Sequence, residues 1–334
     1  MKILLVWPQA TTAVYYLQAP LECVYLASPL AKEHKIQIYD QNVDEDSLKL
    51  VADNFSPDII CVLFNHVRYV TESYNIAKEF RESNYVLIAA GKYPTANPQQ
   101  CIESGYDVVF RGNVERSICK FLSHHFSPKF PFIKAEADLP SGYYFKNENG
   151  DYTDTGEAYS ADTHYVLDRS LIPQKYHKRY THGFLKGSRG CLYKCAFCTA
   201  AESKFKLRDP NIVIDELEYI VKREGNKAIH FGDDIFTHNA EWVIEICRKI
   251  IERKIICYFS VNSRADIPEK NWHIFEWMYK AGCRIVAFGI ESANQEALRN
   301  VIKGLNVAKI MPVVERVKNA NIEEPPENRE CRRD

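Results

Sequence analysis

Short apolar runs alternate with amphipathic stretches along the first 125 residues. The runs predict strands over 2–7, 36–39, 58–64, 85–90 and 107–110. The stretches between them predict helices over 20–34, 45–54, 69–83, 97–104 and 114–124. Strands that alternate with helices in this way point to a doubly wound parallel sheet. Such sheets bind ligands beyond the carboxyl ends of their strands, a rim that here carries segments 8–16, 65–68, 91–95 and 111–115.

The alternation resumes near residue 183. Strands are predicted over 184–186, 228–231, 256–262 and 284–289, with helices over 210–224, 239–253, 269–281, 294–303 and 306–320. This is the pattern of a parallel (β/α) barrel, whose catalytic groups sit at the carboxyl ends of its strands. Between the two regions, residues 126–182 are richer in Pro, Lys, Tyr and Asp. Asn149-Gly150 signals a hairpin turn between strands 143–146 and 152–155, and 167–176 reads as an ordered strap. The expected fold is therefore α/β. A Rossmann-like sheet (1–125) and a connector with a β-hairpin (126–182) precede a partial (β/α) barrel (183–320) and a polar, disordered tail (321–334).

Composition narrows the function classes. A chain of 334 residues is long enough for two domains. Net charge is −1, from 43 basic and 44 acidic residues, so the global electrostatic footprint of a nucleic-acid binder is missing. No apolar run approaches the ~20 residues that span a bilayer, and the opening Met1-Lys-Ile-Leu-Leu-Val-Trp-Pro8 is too short for a signal peptide's apolar core. Eleven cysteines without an export signal suggest a reducing, cytoplasmic setting. Cys23, Cys61, Cys101, Cys119, Cys247, Cys257 and Cys283 are expected as small core residues, and Cys331 as an exposed thiol.

The remaining three cysteines carry the chemistry. Cys191, Cys195 and Cys198 stand in Gly187-Ser-Arg-Gly-Cys-Leu-Tyr-Lys-Cys-Ala-Phe-Cys198. Three thiolates within eight residues can hold three corners of a 4Fe–4S cubane, which ordinarily has four cysteine ligands. One iron is then left open, as catalytic metal sites keep an open position. Arg189 and Lys194 add positive charge beside the anionic cluster. A structural zinc site is the alternative, but it draws ligand pairs from separated segments; no second Cys-x-x-Cys is present in the sequence, and His164, His177 and His182 lie upstream of the run.

This run resembles the radical S-adenosylmethionine (SAM) superfamily, whose hallmark is Cys-x-x-x-Cys-x-aromatic-Cys, with Phe197 at the aromatic position. The resemblance implies that SAM chelates the open iron and that reduction, from an electron donor such as flavodoxin or ferredoxin, yields a 5′-deoxyadenosyl radical. Phe231-Gly-Asp-Asp-Ile-Phe236 looks like the superfamily's second-strand motif, so Gly232, Asp233 and Asp234 are expected near the SAM amino group. On the third strand Ser260, Asn262 and Arg264 share one face, and Arg264 suits a carboxylate such as that of SAM. Gly289-Ile-Glu-Ser292, followed by Gln295-Glu-x-Leu and Lys303-Gly304, resembles the fourth strand and its helix. This resemblance implies that Glu291 and Ser292 reach the ribose or methionine part of SAM.

The first region is similar to the cobalamin-binding domain found ahead of many radical SAM barrels, through Pro20-Leu-Glu-x-x-Tyr-Leu-Ala27, Gly91-Lys-Tyr-Pro-Thr95 and Phe110-Arg-Gly-Asn-Val-Glu115. The similarity implies a cobalamin site at Gly91, Thr95, Arg111 and Gly112. The absence of Asp-x-His-x-x-Gly after the first strand removes support without refuting binding, and two departures stand against it: Ala90 replaces a paired glycine, and Asn113-Val114 interrupts the glycine-acid run. Barrels of this group usually have six strands. After helix 306–320 the tail has paired prolines and one aliphatic residue, so it supplies no fifth buried strand. The reading is a radical SAM enzyme of unknown substrate, with methyl transfer from methylcobalamin as one reaction. Two alternatives stand beside it: a radical SAM enzyme without cobalamin, and a truncated or split non-catalytic subunit that keeps the cluster site, its barrel completed in the split case by another chain.

Overall fold

Five parallel strands form the first sheet: β1 (Lys2–Trp7), β2 (Lys35–Asp40), β3 (Ile59–Leu63), β4 (Val86–Ala90) and β5 (Val108–Phe110). A hairpin, β6 (Tyr143–Lys146) and β7 (Tyr152–Asp154), extends the sheet antiparallel to β5, giving the order β2-β1-β3-β4-β5-β6-β7. The hairpin lies where the sequence predicts one, yet it is part of the sheet rather than of a connector. In this computed structural model the described residues are 1–12, 17–113, 115, 118–119, 122, 139–147, 149–158, 165–198, 200–201 and 203–322. They divide into two compact units, 1–161 with 166–180 and 162–165 with 181–334. Most of helix 114–124, part of rim segment 8–16, Cys331 and nearly all of the tail therefore lie outside the described residues.

The first sheet is apolar on both faces, as a parallel sheet covered on two sides must be. Every residue of β3 and β4 is buried. Leu4, Val6, Ile60, Val62, Leu87 and Ala89 pack with α2 (Leu48–Phe55) and α3 (Val70–Phe80). α1 (Leu21–Leu30) stops four residues short of the predicted helix. Pro29 sits in its last turn, where a proline has no N–H to continue the ladder. Gly91, at φ +115°, turns the chain from β4 into the short α4 (Lys92–Ala96), a segment read as loop from sequence. α5 (Pro98–Glu103) then leads to β5.

The strap carries the short α6 (Gln174–His177) and belongs to the first unit. The Tyr180 hydroxyl donates to Asp40 Oδ2 at 3.1 Å and the Tyr176 hydroxyl to Asp44.

The second unit holds a four-stranded parallel sheet in the order β13-β12-β11-β8. Its strands are β8 (Gly183–Leu185), β11 (Ala228–Phe231), β12 (Tyr258–Ser263) and β13 (Cys283–Phe288). They alternate with α7 (Pro210–Tyr219), α8 (Ala240–Glu252) and α9 (Ile274–Lys280), and α10 (Gln295–Asn300) and α11 (Ile310–Asn319) follow. One face, with Leu185, Ile229, Phe231, Phe259 and Val261, packs on the helices. The other face carries Phe184, His230, Ser260 and Ile285, neighbours across the sheet by register. A two-stranded ribbon, β9 (Ser188–Arg189) with β10 (Lys206–Leu207), leaves the end of β8.

Among the described residues the barrel is thus incomplete, with four strands. No helix there is long and apolar enough to cross a membrane. Cys23, Cys61, Cys101, Cys247, Cys257 and Cys283 are buried free thiols, as small core residues should be, and Cys119 is half-buried.

Candidate functional site

The cysteine run forms a loop closed at its base. Arg189 pairs with Lys206 and Ser188 with Leu207 across the β9–β10 ribbon, so residues 190–205 arch away from the end of β8. Gly190 starts the arch at φ +78°, and a Cβ there would lie 2.3 Å from the Lys204 carbonyl oxygen. Buried Arg208 fastens the base from below, donating to the Lys186 carbonyl at 2.6 Å and pairing with buried Glu216 at 2.8 Å. Within the arch Cys195 is buried, Cys191 half-buried and Cys198 exposed.

The donor set fits a cluster. Three free thiols share one loop, and the Ala200 N–H donates to Cys198 Sγ at 3.4 Å, the contact that stabilises a thiolate ligand. Burial holds the Cys191 thiol above its ordinary value, and Asp234, Cys198 and Cys195 push the same way. Among the described residues no three His, Cys, Asp or Glu side chains converge on one ion position.

The ends of the other strands grip this loop. Asp233, at the end of β11, is 1% exposed; it accepts the Gly187 N–H at 3.0 Å and the Ser188 hydroxyl at 2.5 Å. Burial pushes its carboxyl up to about 6, against the pull of those two hydrogen bonds. At the end of β12 the guanidinium of Arg264 lies 3.7 Å from the centroid of the Tyr193 ring and pairs with Asp266 at 2.7 Å. Arg264 also donates to the Lys303 carbonyl at 3.0 Å. Beyond β13, Glu291 takes φ +65°, a costly conformation for a residue with a side chain. Its carboxylate pairs with Lys303 at 3.2 Å, and the Lys303 ammonium stands 5.7 Å from the centroid of the Phe197 ring. The Ala196 N–H donates to the Val301 carbonyl at 2.9 Å, closing the contact between the loop and the turn after α10.

Residues 185–325 match the model described as the Radical SAM superfamily. Over these residues the chain is similar to that superfamily. This similarity implies a 4Fe–4S cluster and SAM as cofactors.

Over 95% of its length the chain is 25% identical to an uncharacterized methyltransferase, PH0819, of Pyrococcus horikoshii, and covers 71% of that protein. Its fold is similar to that of OxsB, a cobalamin-dependent SAM radical enzyme solved with aqua-cobalamin, at a TM-score of 0.80 and 18% identity. It is also similar to the radical SAM methyltransferase TsrM of Kitasatospora setae, solved with cobalamin and a 4Fe–4S cluster, at 0.78 and 19%. Each alignment takes in 96% of this chain, but only 48% of OxsB and 66% of TsrM.

The second unit places the sequence-predicted residues unevenly. Phe197, 54% exposed, and Glu291 meet around Lys303. Asp234 is half-buried beside the loop, and Ser292 accepts the Asn294 N–H. Asp233 and Arg264 are both buried, and their side chains hydrogen-bond within the protein, Asp233 to the base of the loop and Arg264 to the Lys303 carbonyl. Gly232 is explained by packing, since a Cβ there would lie 2.1 Å from the Phe184 ring. The Ser260 hydroxyl stands 2.8 Å from His230 Nδ1, and the His230 ring stacks on Phe184 at 5.8 Å. Asn262 donates to the Asp233 carbonyl at 3.2 Å.

Sequence reasoning missed Tyr193, Asp266 and His230, and it quoted Lys303 without giving it a role. The period-two pattern of β11 carried the signal for His230, which shares the inner face with Ala228 and Gly232.

In the first unit the four rim residues do come together. Thr95 Oγ1 donates to the Gly91 carbonyl at 2.8 Å and accepts the Gly112 N–H at 2.9 Å, and Arg111 donates to the Thr95 carbonyl at 3.3 Å. Arg111 also pairs with Asp154 at 2.5 Å and lies 3.5 Å from Glu157. A Cβ on Gly91 would lie 2.5 Å from the Phe64 carbonyl oxygen, and one on Gly112 would lie 2.2 Å from that of Ala158.

Proposed function

We propose that Cys191, Cys195 and Cys198 hold a 4Fe–4S cluster whose open iron takes SAM, and that the chain is a radical SAM enzyme of the methyl-transferring kind. The observation carrying this reading is the closed loop at the carboxyl end of the parallel strands, bearing three free thiols and an amide aimed at Cys198 Sγ. When bound, the reduced cluster supplies the electron that splits SAM and frees a 5′-deoxyadenosyl radical. The protein's part is positional. Asp233 fixes the base of the loop, while Lys303 places positive charge beside Phe197. Glu291 and Ser292 offer oxygen acceptors to the ribose or ammonium of SAM, and Asp234 offers a carboxylate on the β11 side. An electron donor such as flavodoxin or ferredoxin supplies the reducing equivalent.

The test is anaerobic reconstitution, followed by iron and sulfide analysis and assay of 5′-deoxyadenosine release. A parent protein that takes up no cluster removes the assignment. Methyl transfer through cobalamin in the first unit is the finer reading, supported by the fold shared with OxsB and TsrM. A second reading has the same radical chemistry without cobalamin, and the first rim favours it. The protein's own carbonyls already approach Gly91 and Gly112, and Arg111 is paired with Asp154. Corrin absorbance retained after gel filtration separates the two.

A further inference from the structure

We propose that Arg264 is a positioning residue that sets the spacing of the cysteine loop, and that it is not the ligand of the SAM carboxylate. This inference rests on the cluster reading above. Arg264 is 5% exposed, and its guanidinium is engaged on its edges and on one face. Nε and Nη2 form a fork on Asp266 at 3.0 and 2.7 Å. Nη1 donates to the Lys303 carbonyl at 3.0 Å, which interrupts the second edge that a carboxylate would need. One ring face is covered by Tyr193 at 3.7 Å, a cation–π contact shielded from water.

These contacts reach both spans of the loop. Tyr193 lies between Cys191 and Cys195, and on another side His238 meets its ring edge-on at 6.4 Å. Lys303, fixed through its carbonyl, sends its side chain to Phe197, which lies between Cys195 and Cys198. The turn carrying that carbonyl has left-handed residues on both sides, Ile302 at φ +54° and Gly304 at φ +63°. One guanidinium thus couples the Cys191–Cys195 span to the Cys195–Cys198 span. Since three thiolates must meet three irons at once, loosening either span should weaken cluster retention before it affects SAM.

The test compares the parent chain with Arg264→Met, Tyr193→Leu and Tyr193→Phe after anaerobic reconstitution. The Met and Leu variants are expected to retain at most a third of the parent's iron and sulfide per chain after a chelator challenge. Their residual reduced cluster should show a shifted, broadened electron paramagnetic resonance signal. Their SAM affinity per loaded cluster, measured by calorimetry, should stay within twofold of the parent's. Tyr193→Phe keeps the ring face and should match the parent. Tyr193→Leu leaves the Arg264–Asp266 pair intact, so it reports on the clamp even if Arg264→Met folds poorly.

Full cluster content with tenfold weaker SAM binding in Arg264→Met would overturn the proposal and make Arg264 a cofactor ligand. Unchanged values in both variants, or a Tyr193→Phe protein as impaired as Tyr193→Leu, would overturn it as well. A parent that loads no cluster fails at the earlier reading and takes this one with it. A parent and variants that load equally fail here alone.

Discussion

The two units put their chemistry-bearing residues at the same topological address, the carboxyl ends of parallel strands, and treat it in opposite ways. In the first unit Gly91, Thr95, Arg111 and Gly112 satisfy one another, and the protein's own backbone fills the space beside both glycines. In the second unit the polar side chains at the strand ends turn inward to grip a loop whose last cysteine and aromatic residue face outward. A rim that closes on itself can be a finished piece of architecture. A rim that braces an open thiol loop has a use for the bracing, because thiolate ligands must be held at fixed spacing before a cluster arrives.

The largest expected effect lies in that loop. Cys198→Ala leaves two thiols, too few to hold a cubane stably. The variant should lose most of the brown absorbance and all SAM cleavage in an anaerobic assay. Cys247→Ala, buried in α8, should keep both, at a cost of about 1 kcal/mol in stability. Equal losses in the two variants would mean that the loop is not special.

The first rim can be probed with glycines. Gly112→Ala must place its Cβ 2.2 Å from the Ala158 carbonyl oxygen at φ +75°, so the urea midpoint should fall by the equivalent of about 3 kcal/mol. Gly156→Ala, at a similar φ +77° with nothing within 4 Å, should lose only about 1 kcal/mol. A harmless Gly112→Ala would show that Ala158 does not close on Gly112, and would return that glycine to the cobalamin reading.

Local signals were legible in the sequence wherever they sufficed. β1, β6 and β11 fall on residues 2–7, 143–146 and 228–231 as expected, because a continuous apolar run marks β1, a hairpin turn marks β6 and an alternating pattern marks β11. The cysteine loop was legible from spacing alone. The roles of Asp233 and Arg264 were not, since each depends on a partner set by the fold. Asp233 meets Ser188 across 45 residues and Arg264 meets the Lys303 carbonyl across 39. Residue type points to a carboxylate and a guanidinium at these strand ends, but only tertiary structure shows which way they face. The early end of α1 was readable from Pro29, whereas α4 depends on the approach of the Phe64 carbonyl to Gly91.

Each unit buries one aspartate at a strand end, and this likeness makes a pH prediction. Asp40 accepts from Tyr180, Asn42 Nδ2 and the Asn42 N–H, and burial still pushes its carboxyl up to about 6, as it does for Asp233. Carboxyls raised in the folded state bind protons more tightly folded than unfolded. Their contribution to stability is complete below about pH 4 and is lost as the pH rises through about 6. The loss is at most about 3 kcal/mol for each group. The urea midpoint should therefore fall as the pH rises from 4.5 to 6.5, all else equal, in roughly that range. Asp40→Asn and Asp233→Asn should each flatten part of the slope. A slope that survives both substitutions would refute the assignment.

The smallest effect concerns His230, which faces the inner side of the second sheet with Ser260. Burial lowers the basicity of this imidazole, and the nearby His182 adds to the shift. The sign is opposite to that of the aspartates. A histidine whose folded value is depressed adds stability above its ordinary value near 6.5 and loses it as the pH falls, because the unfolded chain then binds the proton more readily. At neutral pH the ring should be uncharged, with one nitrogen protonated and Nδ1 in its hydrogen bond to Ser260. Nitrogen-15 NMR of histidine-labelled protein should show one resonance set, absent from His230→Phe, that titrates below pH 6.5. Ser260→Ala removes only the hydroxyl and should change that tautomer balance without moving the urea midpoint by more than about 1 kcal/mol. A His230 that titrates above its ordinary value would mean that a carboxylate faces it, and the inner face would then be charged rather than neutral.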